Sequence, residues 1–168
     1  MTHPSIPAQW PHLAGRVQGR EHVLPVRVYY EDTDAGGVVY HASYLRFCER
    51  ARSDWLRLMG IHHGELTDDA GRRLYFVVRR MACEFNRPAR LDDVLQVRTR
   101  LLRASRVRLE LAQDICVLQG AQEPSPQTGP IFSARVTVAV IDDSGRPARL
   151  PAADFARLRN LLHETTGE

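Results

Sequence analysis

One long helix needs covering, and the rest of the chain supplies mostly strands to cover it. Over about His41 to Met59, the residues Tyr44, Phe47, Cys48, Ala51, Trp55, Leu58 and Met59 recur at spacings of three and four, which puts them on one face of a helix. Arg46, Arg50, Asp54 and Arg57 lie mainly off that face, and Gly60 stands where a C-terminal cap belongs. Four segments with strand character follow, at about residues 74–85, 94–102, 106–118 and 131–141. Val107-Arg108-Leu109-Glu110-Leu111 alternates apolar and polar residues, as a half-buried strand does. An earlier strand, about Val23 to Tyr30, places Val26, Val28 and Tyr30 on one face and Arg27 and Tyr29 on the other. Pro151 opens a short last helix, from Ala152 to about Leu162. The absence of strand–helix alternation argues against a doubly wound parallel sheet. The order predicts an α+β roll, a curved antiparallel sheet wrapped around the one helix that carries Trp55.

The length, 168 residues, suits one domain, and 43% hydrophobic with 26% charged residues is ordinary for a globular protein. No apolar run approaches the ~20 residues a spanning helix needs. Residues 1–20 read as a loose leader with Pro4, Pro7 and Pro11 and no apolar signal core, and residues 21–163 as the domain. A cytoplasmic location is the resulting expectation. Cys48, Cys83 and Cys116 are too few and too far apart for a disulfide framework or a CxxC metal pair, and read as buried reduced thiols. All 23 basic residues are arginine, so a lysine Schiff base is excluded. The net charge of +3 is spread along the chain, which argues against nucleic acid and suits a small phosphorylated ligand.

The chemistry concentrates between Arg27 and Tyr44. Asp34 follows a strand and precedes the long helix. Gly36 and Gly37 allow a sharp turn and a close approach of backbone to ligand. The helix start leaves the amides around His41 and Ala42 unpaired, a place for negative charge. A carboxylate beside such amides has the two parts that acyl hydrolysis needs, one to activate water or attack and one to hold the oxyanion. A helix end facing Asp34 favours its ionised form, which suits a base or nucleophile. Asp34 could equally cap the helix or stabilise the turn. Glu31 and Asp32 read as solvated turn acids. His62, His63 and Glu65 follow the end of the helix with no further ligand at metal spacing, so they read as a solvated loop and no metal site is expected.

Arg27, Val28, Thr33, Asp34, Gly37, Val38, Val39, His41 and Tyr44 together resemble the active-site signature of the 4-hydroxybenzoyl-CoA thioesterase type of hotdog protein. The stretch is similar to the branch of short-chain acyl-CoA thioesterases associated with the bacterial Tol–Pal system. Nine constrained positions in eighteen residues make the resemblance specific, and it extends more weakly over about Val23 to Ile141, including Asn86 to Leu95. It implies a hotdog fold, with a five-stranded antiparallel sheet around one helix and edge-to-edge pairing with a second subunit into a homodimer or homotetramer. It also implies hydrolysis of acyl-CoA to free acid and CoA, with Asp34 as nucleophile or general base, the amide near His41 as oxyanion donor and the His41 ring placing thioester or water. Gly37, Val38, Tyr40, Tyr44 and Arg90 are the expected substrate-binding residues. Tyr44 and Trp55 are core aromatics as well. Arg79, Arg80, Arg87 and Arg90 are candidates for the CoA phosphates.

No cofactor is expected, since coenzyme A is part of the substrate. Acyl carrier protein or lipid-synthesis enzymes are possible partners. Two competing readings follow from the same resemblance. A hotdog dehydratase is opposed by the Thr33-Asp34 pattern. A non-catalytic acyl-CoA binder or adaptor is opposed by the retained Asp34.

Overall fold

The computed structural model describes residues 15–119 and 129–163. Its elements are β1 (Arg16–Gln18), β2 (Glu21–Arg27), a 3-10 turn (Tyr30–Asp32), α1 (His41–Leu58), β3 (Leu74–Phe85), β4 (Val94–Ala104), β5 (Arg108–Gln119), β6 (Phe132–Asp142) and α2 (Ala152–His163). One antiparallel sheet has the order β1-β2-β4-β5-β6-β3. It is the α+β hotdog arrangement, with six strands where five were expected, because three residues of the expected leader pair with β2. Residues 1–14 of that leader lie outside the described residues, as does most of the Pro/Gly loop after Gln119.

The alternation legible in the sequence sets the inner face. Leu95 and Val97 of β4, Leu109, Leu111 and Ile115 of β5, and Phe132, Val136 and Val140 of β6 are buried. Phe47, Cys48, Ala51 and Trp55 of α1 join them in one core. Filling such a core favours folding by roughly 1.5–3 kcal/mol for each large apolar side chain. The helix packs against β2 and β4. It ends by rule: Gly60 takes φ +73, its amide donates to the Arg57 carbonyl at 2.9 Å and that of Ile61 to Leu56 at 2.9 Å. Ile61, 2% exposed, packs into the core beyond the cap.

β3 forms the far edge of the sheet and pairs only with β6, with a bulge between Val78 and Arg80. Its inward positions are apolar, yet Val78 is 48% and Phe85 53% exposed. Among the described residues, no helix is long and apolar enough to cross a membrane.

Several expectations need correction. The first strand ends at Arg27, and Tyr30 is 82% exposed in the 3-10 turn instead of facing inward beside Val28. Asp32 is buried, because its carboxylate accepts the Tyr29 amide at 3.0 Å and its carbonyl accepts the Tyr40 amide at 2.8 Å. Asp54, placed off the apolar face, is buried too. It accepts from His22 Nε2 at 2.7 Å, from the Gly15 amide at 2.8 Å and from Arg57 at 3.2 Å. All three cysteines are free, but only Cys48 is buried outright, and burial pushes its thiol up to about 12.

Candidate active site

The segment before α1 is a clamped loop. Thr33 bridges Val39, and Val38 bridges Arg90. The Asp34 amide donates to the Val38 carbonyl at 2.9 Å and the Gly37 amide to the Asp34 carbonyl at 3.0 Å. Gly37 holds φ +74, which favours glycine over any residue with a Cβ. The Asp34 carboxylate accepts the Gly36 amide at 2.7 Å, and a Cβ on Gly36 would stand 3.1 Å from that oxygen. Asp34 is therefore exposed, with one oxygen fixed on the turn.

α1 starts without a cap. Tyr40 precedes it in an extended conformation, no side chain caps it, and its first turn holds no acid. The amides of His41 and Ala42 are among those a helix leaves without intrahelical acceptors. The positive end of the helix dipole is thus offered to whatever lies in front of it.

Beside this start lies a pocket of about 250 Å³, lined by Val39, His41, Tyr44 and the run from Phe85 to Pro88. Of the expected site residues, His41 and Tyr44 line it. Asp34, Gly37, Val38 and Tyr40 belong to the adjoining loop, Arg90 lies on the segment after β3 that bridges it, and none of the five lines the pocket. The Tyr40 ring is 45% exposed and tilts against the His41 ring at 4.3 Å.

Tyr44 is 3% exposed, stacked on Phe132 at 5.3 Å and edge-on to Phe85 at 5.8 Å, and burial raises its phenol above the ordinary value. Its hydroxyl accepts the Ala89 amide at 2.9 Å, while the Ala89 carbonyl accepts the Val39 amide at 2.8 Å. Asp93 caps the Arg90 amide at 2.8 Å, and Asp92 turns the chain at φ +68. These bonds hold residues 86–93 against the helix start and build the second wall of the pocket. Phe85, Asn86 and Pro88 were missed in the sequence as lining residues. The signal was the Asn86 to Leu95 stretch, which resembled the family without pointing to a role.

The candidate arginines scatter. Arg87 lines the pocket and donates to the Gly129 carbonyl at 2.8 Å, Arg90 pairs with Val38 of the clamped loop, and Arg79 and Arg80 lie exposed on the edge strand. His62, His63 and Glu65 are exposed, and His63 meets Phe76 edge-on at 5.8 Å.

Comparison with known proteins agrees with the fold and with the family resemblance. Residues 36–123 match the family model described as Thioesterase superfamily. The acyl-CoA thioester hydrolase YbgC of Escherichia coli O157:H7 is 57% identical over 77 residues, 46% of this chain and 55% of that protein. The chain thus spans about half the length of that relative. The acyl-CoA thioesterase YbgC of Helicobacter pylori is 36% identical over 137 residues, 81% of this chain and 98% of that protein. The crystal structure of a probable thioesterase from Bartonella henselae superposes with a TM-score of 0.68 at 39% identity, covering 78% of this chain and 99% of that one. The signature, the fold and these matches lead to one statement of kinship: the chain belongs to the thioesterase superfamily.

Proposed function

We propose that this protein hydrolyses acyl-CoA thioesters, taking an acyl-CoA and water to a carboxylic acid and free CoA thiol. The observation that carries the reading is the folded signature: Asp34 on a clamped loop, immediately before an uncapped helix start that borders a pocket lined by His41 and Tyr44. The thioester lies between the two. As charge develops on its carbonyl oxygen, the opening amides of α1 stabilise it, and fixed donors of this kind need no reorganisation during the reaction. Asp34 either takes a proton from the attacking water or attacks the carbonyl itself to give an anhydride that water then opens. The balance needs only water, so no cofactor is invoked. His41 orients the thioester beside the helix start. Arg87 and Arg90 flank the opening and suit the CoA phosphates.

Phe85 of β3 lines the pocket, and β3 is a sheet edge whose apolar inner face is partly exposed. An exposed edge strand of this kind is a template for pairing. A second copy joined along β3 closes the site, so a homodimer is the proposed working unit.

The reading is tested by thiol release from a panel of acyl-CoAs. Asp34→Asn is expected to lower the rate by about 10²-fold or more while the circular dichroism spectrum and melting temperature hold. An unchanged rate overturns the assignment, and tight acyl-CoA binding without thiol release by the parent favours the binder instead. Label found in the Asp34 carboxylate after a single turnover in H₂¹⁸O identifies it as the nucleophile, because water that is only activated by Asp34 gives its oxygen to the product acid.

A further inference from the structure

A second pocket, about 120 Å³, lies on the other half of α1 and is not part of the site above. Its walls are mainly apolar, among them Trp55, Phe76, Val78 and Leu111, but Arg52 lines it too. That guanidinium is half-buried, and burial works against its charge. Its hydrogen bond goes to a neutral group, the Gln113 side-chain oxygen at 2.8 Å, and it takes part in none of the ion pairs among the described residues. Gln113 is fully buried, with its amide nitrogen donating to the Cys48 carbonyl at 3.0 Å and to Thr99 Oγ1 at 2.9 Å. The amide cannot turn, so Arg52 is held in place. Glu49 shares the pocket, but its carboxylate accepts the Ser53 hydroxyl at 2.6 Å and stays exposed. The Glu49 charge acts on Arg52 through space but forms no ion pair with it, and a fixed cation bonded to no carboxylate, in a mainly apolar pocket, is the complement of an apolar group that ends in an anion.

Within one copy this pocket is out of reach of the helix start for a small acyl group. Phe76 and Phe85 mark the two pockets at opposite ends of β3, and along α1 Arg52 stands eleven residues, about 16 Å, from His41. Two-fold antiparallel pairing of β3 with itself exchanges those ends. Centred on the strand, it sets the second copy's Phe76 and Val78 beside Cys83 and Met81, next to Phe85. All of these are inward positions of the same face.

We propose that Arg52 acts in trans: the Arg52 pocket of one copy holds the acyl group of the thioester bound at the helix start of the other, and selects acyl groups ending in a carboxylate. This rests on the acyl-CoA hydrolysis and β3 pairing proposed above, and it adds a specificity-determining residue and a substrate class to them.

The test compares glutaryl-CoA with butyryl-CoA. Arg52→Gln keeps a donor for Gln113 and removes the charge. It is expected to lower kcat/KM for glutaryl-CoA about tenfold or more while butyryl-CoA changes less than about twofold. His63→Glu, at an exposed position lining the same pocket, is expected to depress glutaryl-CoA alone, without disturbing the Gln113 network. Hybrid dimers of an Asp34→Asn chain and an Arg52→Gln chain, isolated with two tags, then report the geometry. In trans, the surviving Asp34 faces an intact Arg52, and glutaryl-CoA hydrolysis returns to about half the parent value per dimer. Equal losses on both substrates, no loss on either, or hybrids that hydrolyse butyryl-CoA without recovering glutaryl-CoA overturn the proposal. A parent inactive on every acyl-CoA overturns hydrolysis itself, and a monomer by light scattering overturns β3 pairing. Each of these is a result separate from the Arg52 outcome.

Discussion

The two ends of α1 follow opposite rules. At the exit, every local requirement is met: Gly60 takes the left-handed conformation, two amides return to the Leu56 and Arg57 carbonyls, and Ile61 seals the cap against the core. One turn earlier, Asp54 gathers His22, Gly15 and Arg57. At the start, Tyr40 offers no capping oxygen, the first turn has no acid, and the Tyr40 and His41 side chains are exposed. Both ends belong to one 18-residue helix in one core. On the proposed reading, the open end belongs to the site and is not a frayed helix. Polar capacity is left unspent where a substrate can use it and is satisfied where only stability is at stake.

Capping the open end is the sharpest way to break that contrast. Tyr40 already has the extended backbone a capping residue adopts. Tyr40→Asn therefore supplies an acceptor to the opening amides without adding charge. It is expected to raise stability by about 1 kcal/mol and to lower thiol release by about 10²-fold. Tyr40→Ala removes the same ring without the cap and serves as the control. If the two variants lose activity equally, the amides are not the oxyanion site. At the exit, Gly60→Ala places a Cβ at φ +73 and 3.3 Å from the Arg157 guanidinium. The expected cost is about 1–2 kcal/mol in denaturant melts with activity per folded molecule unchanged. A fall in specific activity with no change in stability would contradict the division between the ends.

Much of this was legible in the sequence, for reasons of periodicity. α1 starts at His41 as expected, and β3 runs from Leu74 to Phe85 as expected, because apolar spacing and flanking turn residues mark these elements locally. The signature named Asp34 and His41 because its residues lie within eighteen positions of one another. What was missed depends on distant partners. Asp54 looked like a surface acid because His22, 32 residues earlier, is what buries it. Gln113 occupies an inward position of β5 as a polar residue, and its partners Arg52, Cys48 and Thr99, 61, 65 and 14 residues away, explain it. The far wall of the pocket reaches the helix start through Tyr44 and Ala89, 45 residues apart. Single-sequence periodicity carries no information on such pairs.

The His22–Asp54 contact gives the exit half a pH signature. His22 is fully buried on β2, between Val17 of β1 and Thr99 of β4 in the sheet register, with the Asp54 carboxylate of α1 and the Gly15 amide beside it. With Nε2 donating to Asp54, Nδ1 is a buried acceptor with no partner among the described residues. Burial lowers the His22 pKa, and the bond to Asp54 opposes that only in part. The folded protein thus holds His22 neutral, whereas the unfolded chain takes up a proton near pH 6.5. Above that value neither state binds the proton and the contribution of His22 to stability is flat. As pH falls through about 6.5 the unfolded state binds more protons, so stability declines until the folded-state pKa is passed. A single histidine titrates here, and its effect is expected to be the smallest of those considered. Urea melts from pH 8 down to pH 5 are expected to show the decline in the parent, with His22→Gln flatter over that window. A slope unchanged by the substitution would place the titrating group elsewhere.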